Sequence, residues 1–422
     1  MEPTAEPADG TGSAEDPAVA PGALARVVGG DVTTFRDQHW GREPLLVRGA
    51  DRGAFGDLLD LDGVDELLSC RGLRVPFLRL AKDGVVVDSS SFTGTGGVGA
   101  EIDDQVRDDA VAALFAEGTT VVLQALHRVW PSVIEFCTAL ADELGHPVQT
   151  NAYVTPPSSR GFSAHYDVHD VFVLQLAGQK HWRVHAPVQS DPLRNQPWTG
   201  HAQSVADRAR EAPVIDAVLR PGDAMYLPRG WLHAATALGD TSAHLTVGVH
   251  VLTRFSLVEA LTSLVAQDAR LRASLPLGID AADPDQLASD LDAVRAVLSS
   301  ALQDVSAEDV ARQLRDRVWS GGRPEPVGPV ANAAFTDGLA VGDSVRRRAG
   351  LGCRLTTRDE SVVLELTDRQ ISFPATTAAA LRALLQGGTV QVGGLPELDE
   401  SDQIVLVRRL LREGVLKPAT GS

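Results

Sequence analysis

The chain has 422 residues, of which 44% are apolar, and a formal net charge of -18 at pH 7. A chain of this length predicts about two or three domains, and no apolar run in it reaches the roughly 20 residues that a membrane-spanning helix needs. The negative charge argues against general affinity for nucleic acids or anionic membranes, because their phosphate groups would repel it.

The N-terminal segment and the cysteines bear on the location of the chain. Residues 1–22 are acidic and rich in Pro, Ala and Gly, and they lack the basic and apolar regions of a signal peptide. We therefore expect a disordered acidic tail. Cys70, Cys137 and Cys353 are far apart and show no CxxC spacing, so neither a disulfide framework nor a zinc finger is predicted. The cytoplasm fits this pattern best.

The segment that begins at Ala23 predicts scaffold elements and the first strand of a barrel. The run LLVRG is a short strand, and Asp83-Gly84 between apolar runs predicts a hairpin. Two amphipathic helices follow, DDQVRDDAVAALFAEG and VWPSVIEFCTALADELG, with the strand TTVVLQAL between them. We expect these helices to end at Gly118 and Gly145.

From Val148 to His250 the sequence changes to strand after strand with Gly and Pro turns, which predicts a small β-barrel or sandwich. The polar segment from Gln189 to Glu211 is expected to be a long excursion between strands. The central stretch of this region reads GFSAHYDVHDVFVLQLAGQKHWRVHAP and is followed, much later, by GDAMYLPRGWLHAATAL.

These two stretches contain a candidate metal site. His165 and Asp167 are two residues apart at the start of an apolar strand, so their side chains project to the same side. His233 follows a Gly-Asp turn and a short strand, where a returning strand could supply a third ligand. Two histidines and one carboxylate on one face of a metal leave positions open opposite, as in non-haem Fe(II) oxygenases. An isolated HxD is usually a surface turn, and the surrounding strand pattern favours the metal site.

The rest of the chain predicts two further units. Residues 255–339 are helical, with apolar residues at spacings of three and four and Ser306 as an N-cap, and we expect them to form a dimerisation segment. Residues 340–422 read as strands, two helices and a closing strand, which is a winged-helix outline. The basic residues of its last helix alternate with apolar positions, so a protein-interaction or structural role is favoured over DNA binding.

Together, TNAYVTPPSSRGFSAHYDVHDVFVLQLAGQKHWRVHAP and PGDAMYLPRGWLHAA resemble the JmjC-type cupins of the ribosomal oxygenase family. The order of barrel, helices and winged helix is similar to that family along nearly the whole chain. The resemblance implies a mixed α+β fold: a double-stranded β-helix (cupin) catalytic domain at residues 23–254, then the helical segment and the winged-helix domain. It also implies Fe(II) as cofactor, with 2-oxoglutarate and O2 as cosubstrates.

Carried over by position, the resemblance assigns His165, Asp167 and His233 as metal ligands. Lys180 corresponds to the family's basic residue that pairs with the distal carboxylate of 2-oxoglutarate, a dianion that needs one buried cation; otherwise it is a lysine at a strand edge.

Two further residues, Asn151 and Tyr153, match positions that line the cosubstrate and substrate pocket, although both could be buried polar residues satisfied by backbone. Thr246 is a candidate hydroxyl donor to the cosubstrate. The family often has a serine where this chain has Gly248.

Five other histidines lie near the motif and are expected to be structural or solvated: His169, His181, His185, His201 and His244. Of these, His169 follows the HxD closely enough to contact a substrate instead.

The family resemblance implies an oxygenase that hydroxylates a side-chain carbon, of the arginine or histidine class, in a protein such as a ribosomal protein. The helical segment at residues 255–339 predicts a homodimer. The acidic surface is compatible with such a basic partner. Three alternatives remain open: a hydroxylase of a ribosomally made peptide natural-product precursor, an N-methyl-lysine demethylase, and a metal-binding cupin without turnover. No direct contact with nucleic acid or membrane is expected.

Overall fold

The computed structural model describes residues 22–49, 55–157, 159 and 163–419. The predicted acidic tail therefore lies, except for Gly22, outside the described residues. Within the described ranges, every helix is too short or too polar to cross a membrane.

Eleven strands precede the helical segment. Strands β1 to β11 are, in chain order, Leu45–Val47, Leu78–Lys82, Val85–Val86, Thr93–Gly94, Gln105–Val106, Thr120–Leu123, Val148–Thr155, Asp170–His185, Ile215–Leu219, Ala224–Leu227 and Leu232–Val249. Nine of them form one sheet in the order β1-β10-β8-β11-β7-β6-β2-β3, with β9 paired to β8, and β4 pairs with β5. All of these pairings are antiparallel.

The two longest strands, β8 and β11, pair with each other almost from end to end. Their register shifts between Leu238 and Ala243, opposite Gly178, whose φ is +58°. Because Trp182 in the second half of β8 contacts His244 in the second half of β11, with ring centroids 5.5 Å apart, the two halves of the bent ladder face each other. The space between them is the interior of the barrel.

Successive side chains along the strands point alternately to the hydrophobic core and to the interior of the barrel. Phe172 and Leu174 pack into the main hydrophobic core outside the barrel. Val171 and Val173 point the other way and line a cavity inside it. Each strand therefore presents every second residue to one enclosed space.

The chain also contains α-helices, which lie both before and after the last strand of the barrel. Helices α1 to α12 are Ala23–Val27, Val32–Thr34, Leu61–Cys70, Asp108–Ala116, Pro131–Leu144, Ala202–Arg208, Arg254–Val265, Pro284–Asp304, Ala307–Gly321, Pro329–Asp337, Ala378–Leu385 and Glu400–Arg412. Strands β12 to β17 are Ser344–Arg347, Cys353–Arg358, Ser361–Leu366, Gln370–Pro374, Thr389–Gln391 and Leu416–Pro418. They form the sheets β16-β12-β17 and β13-β14-β15.

A hydrogen-bonded carboxylate fastens the helical segment to the C-terminal strands. Glu325 accepts hydrogen bonds from Arg346 at 2.6 and 2.7 Å and from Lys417 at 2.5 Å. Burial opposes ionisation of this group, but these hydrogen bonds outweigh it and lower the pKa of the carboxyl to about 2. The C-terminal unit has its own hydrophobic core, which includes Val345 and Leu410.

Several local predictions are confirmed. Strands β2 and β3 form the hairpin around Asp83-Gly84, α5 ends at Gly145 in the left-handed conformation, and Ser306 caps α9 through a capping box. The predicted start of α4 was wrong by five residues, because Gln105 and Val106 extend to pair with β4 and the helix begins only at Asp108.

Candidate metal centre and its cavity

Three side chains from the two predicted stretches meet at one point. His165, Asp167 and His233 each offer one ligand atom, and these atoms lie within 4.8 Å of one another. The Nε2 atom of His233 is 3.7 Å from a carboxylate oxygen of Asp167, and the two imidazole centroids are 4.5 Å apart. This donor set fits a divalent transition metal held on one face, with the opposite positions open.

Main-chain hydrogen bonds set the spacing of the two histidines. The N–H of His165 donates to the carbonyl of His233 at 3.2 Å, and the N–H of His233 donates back at 2.9 Å. The Nδ1 atoms lie 2.8 Å from the carbonyl of Ser163 and 3.1 Å from that of Trp231. With Nδ1 protonated and bonded to a carbonyl, Nε2 of each ring is left as the metal-binding atom.

The middle residue of the HxD motif faces the opposite way from the two ligands. The Tyr166 side chain is 1% exposed and packs with Val205 and Leu232, and its hydroxyl donates to the carbonyl of Gln196 at 3.1 Å. The hydrogen bond to Gln196 therefore anchors the polar segment 189–211 to the side of the motif that faces away from the ligands. The same segment places the Trp198 ring 6.4 Å from the His165 ring, measured between centroids.

A second anchor lies three residues after Asp167. The buried carboxylate of Asp170 accepts hydrogen bonds from the Tyr226 hydroxyl and, at 3.1 Å, from the backbone N–H of Arg229. The N–H of Gly230 also donates to the carbonyl of Asp167 at 3.0 Å. These contacts hold the loop before β11 against the HxD segment, which fixes the approach of His233.

The candidate ligands shift one another's pKa values. Burial alone would raise the pKa of Asp167, but the nearby rings of His233, His169 and His165 lower it overall. Burial lowers the pKa of His233, and the neighbouring His165 adds to this effect. A carboxylate and a neutral imidazole are the protonation states that metal binding requires.

The metal centre opens into a cavity of about 390 Å³ inside the barrel. Lys180 lies in its wall, is 3% exposed, and places Nζ 3.2 Å from the Thr155 hydroxyl. Burial without a carboxylate neighbour lowers the pKa of Lys180 to about 7.

Two further buried side chains of the cavity leave polar atoms unused. The Nε1 atom of Trp182 and the Nδ1 atom of His244 have no hydrogen-bond partner among the described residues. His244 stacks on Tyr153 with an interplanar angle of 8°, and burial holds its pKa well below the usual range, so the ring is neutral. Buried polar atoms are rarely left unpaired in native proteins, so these atoms indicate a polar ligand.

The structure places most of the sequence-predicted pocket residues in this cavity. Tyr153, Lys180 and Thr246 line it together with the three candidate ligands. Asn151 is not among the lining residues, and its carboxamide oxygen accepts a hydrogen bond at 3.0 Å from the backbone N–H of Ala125, which has a φ of +56°. This hydrogen bond stabilises the left-handed backbone conformation of Ala125.

Among the lining residues that the sequence analysis did not assign to the pocket are Arg79, Thr155, Trp182 and His244. Three of them lie two residues from a predicted pocket residue on the same strand, so strict alternation would have found them. Arg79 comes from β2, which joins the sheet only through β6, and no sequence signal indicates that it bonds to Tyr153.

Residues 127–257 match the family model described as the JmjC domain. The chain is 27% identical over 92% of its length to Ribosomal oxygenase 1 of Rattus norvegicus, of which it covers 70%. It is 28% identical over 59% of its length to the Drosophila persimilis protein named Bifunctional lysine-specific demethylase and histidyl-hydroxylase NO66, and it spans only 35% of that protein.

A solved structure with the same fold is that of the Escherichia coli ribosomal oxygenase YcfD. The two are 19% identical, with a TM-score of 0.52, and the match covers 91% of this chain and 97% of the other. A second structure of YcfD, in complex with cobalt and 2-oxoglutarate, matches with a TM-score of 0.51 over 90% of this chain and 96% of the other at 18% identity. At this identity the match shows the fold, a JmjC cupin with mixed helices and strands.

We predict that Asp167→Ala and His233→Ala each weaken Co(II) binding by about 100-fold or more, because each removes one of three protein ligands, and loss of outer-shell partners alone costs about 10- to 100-fold. Calorimetric titration of the metal-free protein with Co(II) measures the effect, and circular dichroism checks the fold. His181→Ala is the matched control, since its ring pairs with Asp216 at 2.5 Å outside the cavity. Unchanged affinity in both ligand variants would exclude this site.

Proposed function

We propose that this JmjC-domain chain, similar to ribosomal oxygenases along most of its length, is an Fe(II)- and 2-oxoglutarate-dependent oxygenase that hydroxylates a side-chain carbon of a protein. One observation carries the proposal. A centre of two histidines and one carboxylate shares a cavity with a buried lysine that has no carboxylate partner among the described residues. Such a centre leaves room for a chelating cosubstrate and for O2.

The cavity fits 2-oxoglutarate in size and in chemistry. Its volume of about 390 Å³ lies within the roughly 300 to 1,000 Å³ of small-molecule sites. The dianion would chelate the metal with its 2-oxo acid end and pair its distal carboxylate with Lys180, which has no carboxylate partner among the described residues. The Thr155 hydroxyl is close enough to Lys180 to share the same carboxylate. A charge-assisted pair of this kind compensates the burial of the ammonium group.

The protein's part in the reaction is to bind, orient and exclude water. When bound, Fe(II) with 2-oxoglutarate supplies the oxidising chemistry that uses O2 to hydroxylate a C–H bond and releases succinate and CO2. His165, Asp167 and His233 would hold the metal, and their arrangement would leave coordination positions for the cosubstrates. The apolar wall, including Val171 and Val173, keeps water from the cavity.

The charge of the cavity bears on the substrate side chain. Among the described residues that line it, Asp167 carries the only carboxylate, while Arg79 and Lys180 carry positive charge. With Lys180 paired to 2-oxoglutarate, a guanidinium would still meet the Arg79 cation, whereas a neutral imidazole can accept a hydrogen bond from Arg79 or Tyr153. We therefore favour histidine over arginine as the target, in keeping with the name of the Drosophila relative, and a ribosomal protein as the substrate.

The test is succinate formation by the anaerobically iron-loaded protein with tryptic peptides of ribosomal proteins, followed by mass spectrometry for one added oxygen. We expect succinate and oxidised histidine-containing peptides. Oxidised arginine would overturn the choice of side chain, formaldehyde would indicate demethylation, and succinate without an oxidised peptide would redirect the search to peptide precursors. Absence of succinate would leave a metal-binding cupin without turnover.

The lowered pKa of Lys180 predicts how cosubstrate affinity depends on pH. The free ammonium fraction falls as pH rises through about 7, and the distal carboxylate requires the charged form. The dissociation constant of 2-oxoglutarate should therefore rise by up to about tenfold per pH unit above 7. Calorimetry with the Co(II)-loaded protein from pH 7 to 8.5 measures this. Lys180→Arg keeps its charge and should abolish the trend; an equal trend in both proteins would exclude Lys180 as the titrating group.

We also propose the domain organisation that the sequence predicts: an acidic tail at residues 1–22, a catalytic domain at 23–254, a dimerisation segment at 255–339 and a winged-helix domain at 340–422. On α12, the exposed Arg409 pairs with Glu413 at 2.7 Å, and Arg408 is half-buried. This neutralisation supports a protein-contacting role for that domain and argues against direct nucleic-acid binding. A cytoplasmic location belongs to the same proposal.

The apolar surface of the helical segment supports a homodimer. Phe255, Leu257 and Val258 of α7 are each more than 40% exposed. None of the residues of α8, all of which the structure describes, is buried. Contiguous exposed apolar surface of this kind marks an interaction site. We predict a dimer by light scattering at micromolar concentration and a shift toward monomer in Leu257→Glu, whereas a wild-type monomer would exclude the proposal.

A further inference from the structure

The inner face of β11 leads from the floor of the cavity toward its rim. His244 and Thr246 line the cavity, and Gly248 and His250 follow at the same two-residue spacing. Gly248 pairs with Val171, a lining residue four positions after Asp167. If the proposed 2-oxoglutarate lies on the side of Lys180 and His244, the Gly248 end of the strand is the side from which a protein substrate approaches the metal.

At this rim, Gly248 is covered directly by the side chain of His169. A Cβ atom at position 248 would lie 2.7 Å from Cδ2 and 2.8 Å from Nε2 of the imidazole, closer than van der Waals contact allows. Any larger residue at position 248 would displace the His169 ring from its present position against β11. On its other side the ring stacks on His250, with centroids 5.6 Å apart and planes inclined by 22°.

The His169 ring is held by packing and not by polar contacts. The structure gives it no hydrogen-bond partner among the described residues, although it is only half-buried. Beside it lies a groove of about 510 Å³, lined by His169 and His250 together with Arg194 and Asn195 of the polar excursion. The groove begins within two residues of the candidate ligand Asp167, and its volume is in the range of sites that hold a small molecule or a comparable part of a larger substrate.

We propose that His169 contacts the protein substrate and is a specificity-determining residue, placed beside the metal by the absence of a side chain at Gly248. This inference rests on the proposed function and goes beyond it by naming the rim groove as the path of the substrate chain. The imidazole offers one donor and one acceptor to a peptide group or side chain that lies in the groove.

The decisive variant is His169→Phe, which keeps a flat ring against Gly248 and His250 but removes both nitrogen atoms. We expect the concentration of tryptic ribosomal peptides needed for half-maximal oxidation to rise about tenfold, the cost of a lost hydrogen bond to a buried partner. His169→Gln, which restores a donor and an acceptor, should recover part of the loss. His181→Phe, on an exposed part of β8, is the matched control.

A ligand-binding measurement separates this inference from the function on which it rests. The affinity of the Co(II)-loaded protein for 2-oxoglutarate should be equal in wild type and His169→Phe within about twofold. The reason is that the ring lies away from the Lys180 side, where the cosubstrate is proposed to bind. Unchanged peptide dependence in His169→Phe, or a parallel loss of 2-oxoglutarate affinity, would overturn the role in substrate contact. A wild-type protein that binds no 2-oxoglutarate would overturn the proposed function and this inference with it.

The packing of His169 against Gly248 can be tested by thermal unfolding, which needs no substrate. Gly248→Ser should lower the melting temperature, because the new side chain displaces the imidazole, and His169→Val in the same chain should restore most of the loss. The double variant should remain poor in peptide oxidation despite its recovered stability. Additive changes in melting temperature would show that the two positions are independent and would overturn the proposed dependence of His169 on Gly248.

Discussion

The antiparallel ladder between β8 and β11 is the constraint on which the rest of the molecule depends. Because both strands bend at the same level, where their register shifts, this one ladder forms two facing walls of the barrel. His233 and Lys180 lie in one wall, and Thr246 and His244 lie in the other. A slip of one residue would turn every one of these side chains into the hydrophobic core. Register in this ladder therefore determines the chemistry of the cavity.

The second organising fact is that, among the described residues that line the cavity, the cationic side chains outnumber the carboxylates. The Lys180 ammonium, the Trp182 indole N–H and the Arg79 guanidinium share a space in which, among the described residues, Asp167 supplies the only carboxylate. Burying cationic groups beside a single carboxylate costs free energy. A bound anion would lower this cost, which is the physical reason for proposing a dianionic cosubstrate beside Lys180.

The sequence allowed the fold to be predicted wherever the signal is local. Strand alternation, the Asp83-Gly84 turn and the HxD spacing each depend on neighbouring residues, and the structure bears out the elements that they predict. The contribution of Arg79 depends on the order of strands in the sheet, which no local pattern contains. Asn151 shows the opposite case, since its position suggested the pocket whereas its amide stabilises a left-handed residue at Ala125.

The paired backbones of His165 and His233 have a consequence for how the centre acquires and exchanges ions. Their mutual hydrogen bonds form when the chain folds, so two imidazoles stay at chelating distance in the metal-free protein and little ordering entropy remains to be lost on binding. Asp167 is the ligand outside this bridge. If the centre binds a metal as proposed, we expect the Asp167 carboxylate to adjust to ions of different radius, while the hydrogen-bonded histidines keep their spacing.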